Sequence, residues 1–302
     1  MSRDDEGGVR RRVLLTLGGA AAARLGLAAA AALSGRPAGA PWRRTNYAGR
    51  PVTLLGGPAL AAAVTLTAAA GAPPGTRAAA TLVGAVSGLV GGYDDLAGAR
   101  PDQARDKGLA GHLRALRAGR VSAGAVKVAG IGAAAAAAAA LMRDPAAPHA
   151  SLRSARDPAA GPSHPLTTLA DAVLTTGLVA GTANLVNLLD LRPGRAAKAA
   201  SLLAAATVGG RAGTLVAGPL GATVAVLPDD LGERVMLGDC GANAVGAVLG
   251  LRLAALPGRR ARGGLLAGVV ALTLASERVS FTTVIEATPG LRELDRLGRR
   301  PA

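Results

Sequence analysis

Apolar runs of near-bilayer length recur along this 302-residue chain, and that recurrence constrains its fold more than any other feature. They fall near 13–34, 52–70, 78–92, 122–142, 166–183, 197–209, 212–227, 241–257 and 263–276. A helix needs about 20 apolar residues to cross the hydrocarbon core of a bilayer, where it satisfies its own backbone polar groups. The spacing predicts an all-α, polytopic membrane helix bundle with about nine spans. Half of the residues are hydrophobic but only 1% are aromatic, so alanine, glycine and leucine must do the burying. A soluble alanine-rich helical protein is the competing class, and the segmentation argues against it.

The basic start, MSRDDEGGVRRR, followed by an apolar run has the outline of a signal peptide. No small-x-small cleavage site with a soluble domain behind it follows, so the run reads as the first span. The single cysteine, Cys240, excludes an intramolecular disulfide, and His112, His149 and His164 have no zinc spacing. A formal net charge of +15 would suggest nucleic acid in a soluble protein. Here the arginines sit between apolar runs with no aromatic platform for bases. That excludes nucleic acid and favours anionic headgroups of the membrane and phosphorylated substrates.

If the first span runs outside to inside, one face collects the loops 35–51, 93–121, 184–196 and 228–240 and the tail 277–302. That face holds most of the loop arginines and lysines, so the positive-inside rule makes it cytoplasmic. It also holds thirteen of the 19 acidic residues and all four aromatics, Trp42, Tyr47, Tyr93 and Phe281. Arg10, Arg11, Arg12 and the GRRARG stretch at 258–263 break the rule. Arg24, inside the first span, requires a partner, because a bare charge there is costly.

The same face carries the polar motifs. The third run, GLVGGYDD, ends on adjacent carboxylates, Asp94 and Asp95. Such a pair can be helix punctuation, since aspartate caps helices and tolerates turns. In GTANLVNLLD, Asn184, Asn187 and Asp190 recur at i, i+3 and i+6, nearly one helical face, where they either cap or ligate a hard cation and a phosphate. In MLGDCGAN, Asp239 lies between glycines at a helix start, where backbone amides can approach a phosphate.

These loops, in order, resemble the polyprenyl-phosphate N-acetylhexosamine-1-phosphate transferases. That integral-membrane family includes the bacterial phospho-N-acetylmuramoyl-pentapeptide transferase and the UDP-GlcNAc:undecaprenyl-phosphate GlcNAc-1-phosphate transferase. Arg43 to Gly57 is similar to the family's first cytoplasmic loop, with Arg44 as its basic residue. Asp94-Asp95 with Lys107-Gly108-Leu109 resembles the second, Asn184-x-x-Asn187-x-x-Asp190 the third, and Gly238-Asp239-x-Gly241 the fourth. The likeness covers roughly residues 40 to 275.

The resemblance implies a bundle of about 9–10 transmembrane helices with a cytoplasmic active-site cleft, in the bacterial cytoplasmic membrane. It implies transfer of a sugar-1-phosphate from a UDP-sugar to polyprenyl phosphate, with Mg2+ as cofactor and UMP released. The implied catalytic residues are Asp94, Asp95 and Asp190. Asn184, Asn187, Lys107, Arg44, Gly238 and Gly241 bind substrate, and Asp190 and Asp239 hold the metal. Asp94 or Asp95 would orient or deprotonate the lipid phosphate, adjacency raising the pKa of one of them. A homodimer is expected on the resemblance alone. Lys127 is a further candidate phosphate contact, its alternative a snorkelling lysine at the interface.

The chain departs from the family pattern in two places. Pro193 stands where a second aspartate usually follows, and no histidine-rich fifth loop is present after His164. These departures favour a second reading, a non-catalytic relative that binds polyprenyl phosphate or an envelope partner. A transporter, which needs functional charges at mid-membrane, ranks last. Residues 1–276 form the membrane domain, and 277–302 a basic amphipathic cytoplasmic tail. In that tail Thr288 can cap a short helix with Leu291, Leu294 and Leu297 on one side, lying on the inner membrane surface.

Overall fold

A computed structural model describes residues 3–97, 111, 114–115, 117–119, 121–142, 165–210 and 212–300. Each of the apolar runs contains a helix, although the run predicted from 52 begins in a strand, and its helix starts only at Gly56. In chain order the helices are α1 (Arg3–Ser34), α2 (Gly56–Gly71), α3 (Arg77–Ala97), α4 (Ala123–Leu141), α5 (Pro165–Leu189), α6 (Arg195–Thr207), α7 (Thr214–Leu231), α8 (Gly238–Ala254) and α9 (Arg259–Ser276). Two short helices follow, α10 (Phe281–Ala287) and α11 (Leu291–Arg296). The loop after α1 forms a hairpin of β1 (Arg43–Thr45) and β2 (Pro51–Thr53), paired antiparallel with Arg44 opposite Val52. Its turn is made by Asn46, whose side-chain oxygen accepts from the Ala48 and Arg50 amides at 2.9 and 3.0 Å.

With almost no aromatic bulk, the helices associate by close backbone approach, as small residues permit in membrane bundles. α8 is the centre, buried from Cys240 through Ala254 and packed on α2, α3 and α5. A methyl group on Gly246 would come within 2.7 Å of the Ala183 backbone, and one on Gly250 within 2.6 Å of that of Val179. A helix apolar on every side must be surrounded by others.

Among the described residues three helices are long and apolar enough to cross a membrane: Glu6–Ser34 within α1, α4 and α5. A fourth crossing exists if α9 and α10, bent by 97° at their junction, count as one span. Exposed Leu14, Leu17 and Leu25 on α1, and Leu166, Leu169 and Val173 on α5, give these helices an apolar outer surface. The helical bundle is thus that of a membrane protein. The two shortest of the other helices are too short to cross a bilayer upright. α2 has 16 residues and α6 only 13, and at 1.5 Å per residue 13 residues reach about 20 Å.

Four of the six arginines that break the positive-inside rule have local partners. Arg11 and Arg12 donate to the carbonyls of Ala70 and Gly210, at and just beyond the C-terminal ends of α2 and α6. Arg259 and Arg262 both pair with the buried Asp171 of α5, at 3.1 and 2.7 Å. Arg24, which required a partner, has one in Asp229 at 2.6 Å.

The tail docks rather than lying free. Asp295 is buried, gripped by Arg195 through two bonds of 2.9 and 3.0 Å and by Arg299 at 2.6 Å. Lys198 caps the end of α11 through the carbonyls of Leu294, Asp295 and Leu297. Leu291, Leu294 and Leu297 stay exposed. The residue before α11 is Gly290, whose amide donates to Glu293, and not Thr288, whose hydroxyl bonds back to Val284.

Candidate functional site

α3 does not end before Asp94 and Asp95 but runs through them to Ala97. Neighbours on a helix point about 100° apart, so the two carboxylates face different partners. Asp94 turns to α4 and meets the Lys127 ammonium at 2.6 Å. Asp95 turns to the start of α8, where its two oxygens accept from the Asp239 and Cys240 amides at 2.9 Å each. Asp95 is thus an N-cap supplied from another helix. Arg44 of the hairpin donates to the Asp95 carbonyl.

Gly238 permits this capping for two reasons. Its φ of +57° lies in the left-handed region, and a Cβ would come within 2.8 Å of the Asp95 carboxylate. Gly91, one turn before Asp95, lies so close to α8 that a Cβ would strike the Asp239 carbonyl. Gly241 meets Gly57, whose Cα is 3.1 Å from the place a Cβ would take. The glycines of three motifs are contacts between backbones, and the amides expected to approach a phosphate are bonded to Asp95.

Asp239 completes a triangle, bonding the Lys127 ammonium at 2.7 Å. Asp190 follows the last turn of α5, its amide bonded to the Asn187 carbonyl at 3.0 Å. Asn184 and Asn187 are half-buried on that turn. Asp190 and Asp230 line a cavity of about 20 Å³ with Asn46, Tyr47, Arg192 and Pro193, room for about one water. The Arg192 guanidinium stacks 4.4 Å from the Tyr47 ring centre.

Burial and mutual repulsion hold these carboxyls toward their protonated forms. Asp95 is pushed up to about 6, by burial first and then by Asp239, rather than by its sequence neighbour Asp94. Asp239 is likewise pushed up to about 6 by burial and its contact with Asp94, and burial pushes Asp230 up to about 7. Asp190 lies well above the usual carboxylate range, through burial and then the charges of Asp230, Asp239 and Asp95. Among the described residues, five of the carboxylates at this end therefore crowd together, with Lys127 the one basic side chain in direct contact with them. No described basic side chain pairs with Asp190.

Lys107, with Gly108, Leu109 and His112, lies outside the described residues. Two residues that sequence reasoning did not select belong to this end. Asp230 accepts from the Gly194 amide at 3.1 Å. Glu233, at φ +54°, is held by Asn46 at 2.5 Å and Arg50 at 2.8 Å, which ties the hairpin to the α7–α8 loop. Their signal was the acidic run PDDLGER directly after an apolar span.

Among the described residues no three His, Cys, Asp or Glu side chains converge as a ready metal cage. The donors are nevertheless all oxygens, and negative charge exceeds positive. That chemistry fits Mg2+, which takes one or two carboxylates and completes its shell with water and phosphate. Compared with protein families, with curated proteins and with solved structures, the chain matches none.

Proposed function

We propose that the protein transfers a sugar-1-phosphate, of N-acetylhexosamine type, from a UDP-sugar to polyprenyl phosphate in the cytoplasmic membrane. The observation that supports this most is the meeting of four separated segments at one end of the bundle. Arg44 touches Asp95, Asp95 caps α8 at Asp239, and Asp190 is bonded to the Gly238 backbone. In the reaction an oxygen of polyprenyl phosphate forms a bond to the sugar-bearing phosphorus. The pyrophosphate bond breaks, and UMP leaves with its electrons.

Both substrates are anions, so the reaction needs charge neutralisation. Asp190 and Asp239 would hold Mg2+, which supplies Lewis-acid neutralisation of the phosphates when bound. Asp94, held by Lys127, accepts or orients the proton of the lipid phosphate. Asp95 positions the α8 start. Asn184, Asn187 and Arg44 line the approach, with Lys107 as a further phosphate contact. The finer architecture, about 9–10 crossings with a cytoplasmic cleft, and the homodimer belong to this same reading.

A second reading is a non-catalytic binder of polyprenyl phosphate. It is favoured by the full commitment of Asp95 to two amides and by Pro193 at the position of a second aspartate. UMP release from a panel of UDP-N-acetylhexosamines, with undecaprenyl phosphate and Mg2+, separates the two. Lipid-dependent release that disappears in Asp94→Asn/Asp95→Asn is expected. No release with any donor from folded protein would sink the transferase reading.

A further inference from the structure

A second cavity lies apart from the carboxylates. A groove of about 430 Å³ opens between α1, the hairpin and the α7–α8 loop. One wall is apolar: Leu27 and Ala31 of α1, Pro51 and Val52 of β2, and Val235. The other is cationic, with Arg43 and Arg234 at the lining and Arg24 reaching Asp229 from α1. Asp229, the one acidic lining residue, is shared by Arg24 at 2.6 Å and Arg234 at 2.9 Å. Arg43 donates to the Ser34 carbonyl at 3.0 Å and pairs with no carboxylate among the described residues. Three guanidinium groups against one carboxylate leave two positive charges in excess.

We infer that this groove binds the phosphate headgroup of an anionic glycerophospholipid. The wall supplies the argument for a lipid over free phosphate. α1 is long and apolar enough to cross a membrane, and its exposed Leu25 lies beside the stripe formed by Arg24, Leu27, Ala31 and Ser34. An occupant thus meets guanidinium groups on one side and apolar surface continuous with the outer face of α1 on the other. Zwitterionic lipids bring a cation that the arginine excess opposes, whereas an acidic lipid brings the missing charge. No lining residue belongs to the carboxylate cluster, so the inference does not depend on the transferase reading.

Native mass spectrometry of the detergent-purified full chain tests it, titrating phosphatidylglycerol, phosphatidylcholine, polyprenyl phosphate or inorganic phosphate. Three variants are compared: Arg43→Gln/Arg234→Gln, the charge-matched control Arg260→Gln/Arg278→Gln, and Ala31→Phe, which fills the groove without changing charge. Phosphatidylglycerol should bind in preference to phosphatidylcholine. Its affinity should fall about tenfold or more in Arg43→Gln/Arg234→Gln and in Ala31→Phe, and by less than about twofold in the control. Equal loss in the control, unchanged binding in both groove variants, or displacement by inorganic phosphate at equal concentration would each overturn the inference. Tighter groove-dependent binding of polyprenyl phosphate than of phosphatidylglycerol would overturn it too.

Discussion

The two ends of the bundle bury carboxylates in opposite ways. At the end where α5 begins, Asp171 is matched by two arginines, Arg259 and Arg262. At the end where α5 finishes, Asp94, Asp95, Asp190, Asp230 and Asp239 crowd together, and among the described residues Lys127 is the one basic side chain bonded to any of them, touching Asp94 and Asp239. A buried charge with matched partners is structural. Buried like charges cost stability unless something later neutralises them, and perturbed acids of that kind gather at functional sites. The docked tail behaves like the first end, since Asp295 has Arg195 and Arg299. Under the proposed function, the difference separates carboxylates that hold the fold from those that would meet a cation.

The largest expected effect is at Lys127. Lys127→Met leaves Asp94 and Asp239 facing each other without a cation and should cost roughly 3 kcal/mol of stability at pH 8. Thermal unfolding in detergent checks this, and the loss should shrink at pH 5 as Asp239, pushed up to about 6, takes up a proton. An equal loss at both pH values would mean that Lys127 only fills space.

Asp171→Ala tests the matched end. Stranding two arginines should destabilise the protein by roughly 2–3 kcal/mol, discounted because Arg259 is half-exposed. Its Mn2+ affinity, read with Mn2+ as the probe for Mg2+, should be unchanged. A loss of metal affinity in this variant would erase the contrast between the ends.

Asp190→Asn should do the reverse, weakening metal binding while stabilising the apoprotein by about 1–2 kcal/mol at pH 8. The sign follows from its raised pKa. The folded state holds the proton more tightly than the unfolded chain, so its contribution is present at low pH and lost as pH rises. For the same reason the wild-type unfolding temperature should fall as pH rises from about 4 to about 7, from the ordinary carboxylate value of 3.8 up to the values of about 6, 6 and 7 of Asp95, Asp239 and Asp230. A flat profile would mean that their burial is relieved by water.

Asp295→Asn should have the smallest effect, about 1 kcal/mol, since the amide keeps part of the Arg195 contact. Proteolysis of the tail should rise while metal binding holds.

Much of this fold was legible in the sequence. The apolar runs became α1 to α9 because alanine, leucine and glycine pack without long-range instruction, and the need of Arg24 for a partner followed from its place inside a span. The hairpin at 43–53 was not read as strands, although Asn46 and Gly49 are turn residues, because three-residue strands have too little period to detect. The meeting of Asp95 with α8 was also hidden. It depends on Gly91 and Gly238 admitting a close approach, which pattern alone does not encode. Lys127 carried a signal that could have been weighted more heavily, a single lysine within an alanine-rich span.

Mn2+ binding to the purified full chain, followed by electron paramagnetic resonance at pH 6 and pH 8 in wild type and Asp190→Asn, tests the central claim most directly. Saturable binding that tightens at pH 8, where the cluster is ionised, and that weakens about tenfold or more in the variant is the predicted result. Binding that is absent at both pH values, or indifferent to Asp190, would contradict the claim that the crowded end awaits a cation.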